Sequence, residues 1–163
     1  MGGVIVSYRQ GGEQKRWRGA EADMAANIPA DATDVLATRS ASRIETFVTL
    51  GAPSLTALAP TGQGIELVPV SHPNDLVSGE AATFKLLRDG QPAAGLEVTI
   101  ARGGTRYRDN PEEITVTTGA DGAFTITWPE PGMYWMNASV RGDAVGDQLA
   151  YSAQYNGVVE VLP

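Results

Sequence analysis

The chain has 163 residues, 42% of them apolar, with 19 glycines, 10 prolines and no cysteine. This length allows one ordinary domain, or one domain and part of another. The lack of cysteine excludes disulfides, thiolate metal sites and cysteine nucleophiles. The net charge of −7 falls on residues 63–163, with six basic and thirteen acidic residues, which disfavours binding to nucleic acid. No apolar run approaches the roughly 20 residues that cross a bilayer, so we expect no membrane insertion.

The first 57 residues predict a β-rich fragment with one short helix. Strand patterns occur at Val4–Tyr8, Lys15–Arg18, Val35–Thr38 and Ile44–Leu50. Helix formers with early acidic residues predict a helix over Ala20–Asn27, which Pro29 ends. These few elements bury too little apolar surface to stand alone. We therefore interpret residues 1–57 as the C-terminal part of an upstream β-rich domain plus a connecting segment.

Residues 58–163 predict a second, all-β domain, which follows a segment rich in proline, glycine and small polar residues. Seven strands are predicted, at Ile65–Val70, Ala81–Leu87, Leu96–Ala101, Glu113–Thr118, Ala123–Trp128, Met133–Val140 and Leu149–Val161. Asp89-Gly90 and Asp121-Gly122 suit hairpin turns that need a positive φ. Short strands joined by such turns indicate an immunoglobulin-like antiparallel β-sandwich.

Alternation of apolar and polar residues along these strands predicts which side chains face the core. The predicted core consists of Phe84, Leu86, Val98, Ile100, Phe124, Ile126, Tyr134 and Met136. A carbohydrate-binding platform could be formed by the aromatics Trp17, Trp128, Trp135, Tyr134, Tyr151 and Tyr155. Aromatics at strand positions more often fill sandwich cores, however. We therefore expect most of them to be core residues.

Several segments together resemble the bacterial domain-of-unknown-function family 4198. They are GIELVPVSHPNDLVSGE, DGQPAAGLEVTI, ADGAFTITW and PGMYW, with GGEQKRWRG and ETFVTLGAPS upstream. Members of that family are often described as periplasmic components of cobalt or nickel uptake systems. The resemblance implies a periplasmic location, with a signal peptide and a further β-rich domain ahead of this chain's first residue. It also implies a divalent transition-metal ion or a membrane transporter component as the partner.

The DG-x-P and ADG-x-F patterns are also similar to those of transthyretin-like domains and collagen-adhesin B-type repeats. Both are immunoglobulin-like. This second resemblance supports the predicted fold and says little about function, because one fold hosts many activities.

His72 is the chain's only histidine and lies in the polar turn His72-Pro73-Asn74-Asp75. An imidazole and a carboxylate three residues apart could share a nickel or cobalt ion, so His72 and Asp75 are the candidate metal ligands. A metal site normally takes three or four protein ligands, and Glu66, Glu80 or another carboxylate would have to complete this one. The alternative is that Asn74-Asp75 caps a turn while His72 bonds a backbone carbonyl.

The other candidate sites are weaker. Arg102, Arg106 and Arg108 form a basic spot that could hold an anion, or could be a solvated hairpin loop. Glu112 and Glu113 are adjacent, so in a strand they point to opposite faces and cannot act as a catalytic pair. No triad or phosphate-binding loop is recognisable. We therefore expect no catalysis and no cofactor beyond weakly bound nickel or cobalt.

Two functions follow as expectations. The first is a periplasmic binding or accessory module that assists nickel or cobalt uptake. The second is a structural or protein-interaction β-sandwich with no small-molecule ligand, which predicts an exposed strand edge or apolar patch. A hydrolase is the third alternative and predicts a pocket that gathers His72 with a nucleophile or a second acid.

Overall fold

The computed structural model describes residues 2–146 and 148–163. The eleven strands are β1 (Gly2–Gln10), β2 (Glu13–Gly19), β3 (Thr33–Thr46), β4 (Ile65–Pro69), β5 (Ala81–Arg88), β6 (Gln91–Pro92), β7 (Glu97–Arg102), β8 (Ile114–Thr117), β9 (Ala123–Thr127), β10 (Gly132–Gly142) and β11 (Ala150–Val161). One short helix, α1 (Met24–Asn27), follows the 3-10 turn Glu21–Asp23, and further 3-10 turns lie at Thr56–Leu58 and Thr105–Tyr107. The prediction of an all-β chain with one short helix is confirmed. In the described residues, no helix is long and apolar enough to cross a membrane.

The chain forms two compact units, and both are discontinuous in sequence. Unit 1 comprises Met1–Ser42 and Val140–Ala153, and unit 2 comprises Arg43–Ser139 and Gln154–Pro163. The division falls at residues 42 and 43 rather than at the predicted 57 and 58, because β3, β10 and β11 each contribute residues to both units. The interpretation of residues 1–57 as part of a longer upstream domain stays a prediction.

In unit 1, β1 pairs antiparallel with β2 on one side and with β3 on the other. Val6 lies opposite Trp17 on β2 and Ala37 on β3. Val4 and Val6 are buried, and their positions two residues apart place both side chains on the same face. Helix α1 also belongs to this unit.

The prediction of two separate strands at Val35–Thr38 and Ile44–Leu50 was wrong. A single strand, β3, runs from Thr33 to Thr46 and continues through the polar stretch between the two predicted strands. Pairing with β1 holds this stretch as far as Ala41, which lies opposite Gly2. A run of small polar residues without Gly or Pro provides no turn, so the strand continues.

Unit 2 is an antiparallel sandwich. One sheet has the order β4–β5–β6, with β9 also pairing with β5, and the other contains β11–β10–β7–β8. The two sheets correspond to the ABE and GFC groupings of an immunoglobulin-like sandwich. Phe84 on β5 lies opposite Phe124 on β9, with ring centroids 5.7 Å apart. All eight predicted core residues are at most 4% exposed, so the prediction of which side chains face the core is confirmed.

The Tyr134 side chain links β10 to the connection that leads into it from β9. Its hydroxyl donates to the Glu130 carbonyl (2.8 Å), four residues upstream in the connection from β9 to β10. A tyrosine in this position that bonds back to the preceding corner is a hallmark of immunoglobulin-like sandwiches. The Tyr134 ring also packs on the buried Trp128 ring, with centroids 4.9 Å apart.

Candidate functional site

His72 lies in the turn that the sequence predicts. The Asp75 N–H donates to the His72 carbonyl (3.0 Å), which closes the turn. The Asn74 N–H donates to His72 Nδ1 (3.1 Å), so Nδ1 is the acceptor and Nε2 carries the proton. Nε2 then donates to the Ser54 carbonyl (3.2 Å). Both ring nitrogens therefore bond backbone groups, and a metal ion would have to displace one of these bonds.

The structure brings His72 and Asp75 into one turn but gives them no third ligand. Glu66 is committed to other partners, described below. Within residues 2–146 and 148–163, no group of three or more His, Asp or Glu side chains is placed to hold a metal ion. The assignment of His72 and Asp75 as metal ligands stays a prediction.

Asn74 holds the chain segment that follows β3. In the orientation that satisfies both ends of its carboxamide, Oδ1 accepts from the Thr49 N–H (3.0 Å) and Nδ2 donates to the Phe47 carbonyl (3.2 Å). Groups two residues apart on an extended chain point to the same side. The carboxamide thus engages this segment as the main chain of a neighbouring strand would.

Glu66 on β4 is a buried carboxylate, only 1% exposed, and it holds the loop just before its own strand. It accepts hydrogen bonds from the N–H groups of Thr61 (2.7 Å), Gly62 (2.6 Å) and Gln63 (3.2 Å). The Thr61 hydroxyl (2.8 Å) and the Arg43 guanidinium (2.7 Å) complete its partners. Burying a charge is costly unless it is paired and hydrogen-bonded, and here both conditions are met.

These surroundings shift the ionisation equilibria of Glu66 and Tyr155. Burial alone opposes ionisation of Glu66, but the hydrogen bonds from Thr61 and Gly62 and the charge of Arg43 outweigh it, so the pKa of Glu66 is lowered. Arg43 also bonds Glu45. Burial, followed by the nearby Glu45 carboxylate, raises the pKa of Tyr155. Arg43, Glu45, Glu66 and Tyr155 thus form a structural network. Their charged groups point toward the protein interior.

Unit 2 carries on its surface an apolar stripe, which the fold does not explain. We use this name for the outward side chains of Ile44, Thr46, Val48 and Leu50. Ile44 is 79% exposed, Val48 90% and Leu50 100%. Exposure alternates along residues 43–50, since the residues between these four are half-buried. Along residues 43–50, of which 43–46 belong to β3, the facing is the reverse of a usual surface strand, because the charged residues Arg43 and Glu45 point inward and the aliphatic residues face solvent.

A groove adjoins the apolar stripe. It has a volume of about 530 Å³, and Phe47, Ala57, Leu58, His72 and Asn74 line it together with residues of the stripe. Leu55, a further aliphatic residue of the same connection, is 55% exposed. Isolated exposed aliphatic side chains are ordinary, whereas several of them along one segment beside a groove form a candidate interaction surface.

The remaining sequence candidates have structural roles. Arg102 bonds Glu130 and the Pro131 carbonyl (2.7 Å), and Arg108 donates to the carbonyls of Arg102 (2.6 Å) and Gly103 (2.9 Å). Arg108 thus binds its own loop between β7 and β8, whereas Arg102 binds the connection between β9 and β10.

Half of the six aromatics considered as a carbohydrate platform belong to the core. Trp128, Tyr134 and Tyr155 are buried, whereas Trp135 is 39% exposed and donates from Nε1 to Asn156 (3.2 Å). Trp17 and Tyr151 are half-buried, so three of the six, rather than most of them, are core residues.

The sequence reasoning missed both the Glu66 network and the apolar stripe. Ile44–Leu50 is predicted as a strand, with no prediction of whether the set Ile44, Val48 and Leu50 or the alternate set faces inward. The available signal was that the alternate set contains Arg43 and Glu45. Only contacts brought together by the fold show which set faces inward.

The fold and these contacts define an all-β protein with an immunoglobulin-like sandwich unit and an exposed apolar segment at the end of β3. A sequence model of the family "Domain of unknown function (DUF4198)" matches residues 2–142, most of the chain. The chain belongs to this family. The search of curated proteins found no match.

Proposed function

We propose that this chain is a protein-interaction module whose docking surface is the apolar stripe. The observation that carries the proposal is the exposure of Ile44, Val48 and Leu50, at 79%, 90% and 100%. Exposing such side chains costs free energy that a partner could recover, at about 25 cal/mol per Å² of apolar surface buried. The interaction hypothesis predicts such a patch. The same proposal expects no catalytic activity.

Affinity capture with the apolar stripe disrupted tests this function. The double variant Val48→Lys with Leu50→Lys places two ammonium groups on the surface, and burying them against a partner is costly. Wild-type protein is expected to retain a specific protein from a periplasmic extract, with and without chelator, and the double variant is expected to lose it. Val145→Lys is the matched control, because Val145 is 71% exposed but belongs to unit 1. Equal capture by wild type and the double variant would contradict the proposal.

Assistance of nickel or cobalt uptake, a transporter component as partner and a periplasmic location remain proposals based on the family resemblance. The metal role depends on His72 and Asp75, whose turn is satisfied by backbone hydrogen bonds. Calorimetric titration of nickel and cobalt into wild type, His72→Ala and Asp75→Ala tests it. Binding tighter than about 1 mM, roughly 4 kcal/mol, that both variants weaken would support the role. Identical binding heats for the three proteins would exclude a metal role for His72 and Asp75.

A further inference from the structure

We infer that unit 1 carries a binding site for a hydroxylated organic acid that has a carboxylate at each end. The site is a cavity of about 670 Å³, a volume within the usual range of small-molecule sites. Every residue that lines it belongs to unit 1, so it shares no residue with the groove beside the apolar stripe. The site therefore goes beyond the proposed docking function.

The cavity lies on the face of β1 that the core does not use. Val4 and Val6 are buried, so strand alternation places Ile5 and Ser7 on the opposite face, where both line the cavity. Arg16 on β2 lies directly opposite Ser7 and lines the cavity too. The neighbouring strands β3 and β11 also contribute lining residues, so the floor of the cavity is a continuous sheet face.

A β-bulge lies at the margin of this cavity. The register between β1 and β3 shifts between the pairs Ser7–Leu36 and Arg9–Thr33, with one extra residue on β3. Within the bulge, Asp34 adopts a φ of +51°. A bulge bends its strand and increases the local twist, and bulges are over-represented next to active sites. Because Ser7 and Leu36 both line the cavity, this bulge curves the sheet where the cavity forms.

Two arginines line the cavity from strands that are far apart. Arg16 is on β2 and Arg141 is near the end of β10, and both are exposed. Strands β1, β3 and β11 separate β2 from β10, which places the two backbones about 19 Å apart. Two guanidinium groups carried by strands this far apart favour two separate anionic groups over one compact anion.

Both arginines are available for a ligand. The ion pairs formed among the described residues use other cations, namely Arg9, Arg39, Arg43, Lys85, Arg102 and Arg108. A free guanidinium binds a carboxylate through two parallel N–H···O bonds. The lining also contains the carboxylate of Asp143, so two positive charges and one negative charge face the ligand. The cavity is thus a locally basic site on a chain with a net charge of −7.

The floor between the two arginines is rich in hydroxyl groups. Four half-buried residues supply them: Ser7 on β1, Thr38 and Ser40 on β3, and Ser152 on β11. A hydroxyl both donates and accepts hydrogen bonds, so this floor matches a ligand whose middle part also carries hydroxyls. Terminal carboxylates for the arginines and hydroxyls for the floor together define the ligand class.

Calorimetric titration of the full chain with tartrate, glucarate and digalacturonate tests this class at three lengths. At least one of these acids is expected to bind with a dissociation constant below about 1 mM. Succinate and adipate, which match tartrate and glucarate but lack hydroxyls, are expected to bind at least about tenfold more weakly, because the hydrogen bonds to the floor are lost. Sorbitol, which has no carboxylate, is expected not to bind. No binding of any of the three acids, or equal binding of the matched acids with and without hydroxyls, would overturn the inference.

Charge-removing variants then locate the site with the acid that binds best. Arg16→Gln and Arg141→Gln are each expected to raise its dissociation constant about tenfold, because each loses a charge-assisted hydrogen bond. Arg88→Gln is the matched control, since Arg88 is also exposed but belongs to unit 2, and it should leave the constant unchanged. Equal effects of all three variants, or none from Arg16→Gln and Arg141→Gln, would overturn the site. Val48→Lys with Leu50→Lys should leave acid binding unchanged, so this test and that of the docking surface fail independently.

Discussion

Glu66 shows how one buried residue organises a loop. Its two carboxylate oxygens take three main-chain N–H groups of residues 61–63, so the loop before β4 depends on a single side chain. The Arg43 guanidinium, which is on β3 and 30% exposed, compensates the negative charge of Glu66. A buried pair of this kind is strongly destabilising when only one partner is removed, because the other charge loses its compensation.

Glu66→Gln is therefore expected to lower the free energy of unfolding by about 3 kcal/mol. The amide has one acceptor oxygen, and its NH₂ group faces donors that then lack an acceptor. Urea unfolding followed by tryptophan fluorescence measures the loss. Glu160→Gln, at an exposed position of β11, is the matched control and should change the free energy of unfolding by less than about 0.5 kcal/mol.

The same variant tests the ionisation of Glu66. Since the folded pKa lies below the ordinary value of 4.5, ionised Glu66 stabilises the fold fully above that value. This contribution is lost as pH falls through the folded pKa. The gap in unfolding free energy between wild type and Glu66→Gln is thus expected to narrow on acidification below 4.5. A gap that stays constant down to the acid transition would contradict a lowered pKa.

The turn before β9 is an element whose geometry only glycine permits. Gly122 has a φ of +76°, and an added Cβ would lie 2.4 Å from the Leu86 carbonyl oxygen and 3.1 Å from the Ala93 nitrogen. The Gly122 carbonyl accepts the Leu86 N–H (2.9 Å), so the turn is tied to β5. Neither backbone neighbour can move aside as a flexible side chain could.

Gly122→Ala is expected to cost about 2 kcal/mol more than Gly104→Ala, because overpacking is added to backbone strain. Gly104 is the matched control, since its φ of +79° is the same and nothing lies within 4 Å of an added Cβ. The free energy of unfolding of Gly104→Ala should fall by only roughly 1 kcal/mol, the cost of a left-handed conformation for a residue with a Cβ. Thermal unfolding of both variants gives the comparison. Equal losses of stability would show that the backbone around residue 122 and β5 moves apart to accommodate the added Cβ.

Strand pattern and turn chemistry were sufficient to predict the sandwich elements. The hairpin turn at Asp89-Gly90 and the inward facing of Phe84 and Phe124 were predictable, because each depends on local sequence. The prediction of a hairpin turn at Asp121-Gly122 was wrong, because this turn connects β8 and β9, which lie in different sheets. The course of β3 and the inward direction of Glu66 were not predictable. Both are set by partners distant in sequence, such as Gly2 for Ala41 and Arg43 for Glu66. The apolar stripe was missed for the same reason.

For the whole molecule, the two units differ in how much apolar surface they bury. In the described part of unit 1, the fully buried apolar residues are Val4, Val6 and Ala153. Unit 2 buries large aromatic side chains, including Phe84, Trp128 and Tyr134. Regions with few buried apolar contacts open at lower free energy than well-packed cores. The units are therefore expected to have unequal local stability.

Amide hydrogen exchange should reveal this difference. Amides at the paired centre of β1, such as Val6, are expected to exchange at least about tenfold faster than those of β5, such as Phe84, because local opening of unit 1 exposes less apolar surface. Both residues are fully buried and lie within paired strands, so exposure in the folded state does not distinguish them. Val6→Ala should accelerate exchange in unit 1 without altering the protection of β5. Equal protection at Val6 and Phe84, lost together in Val6→Ala, would instead show that the chain opens as one cooperative unit.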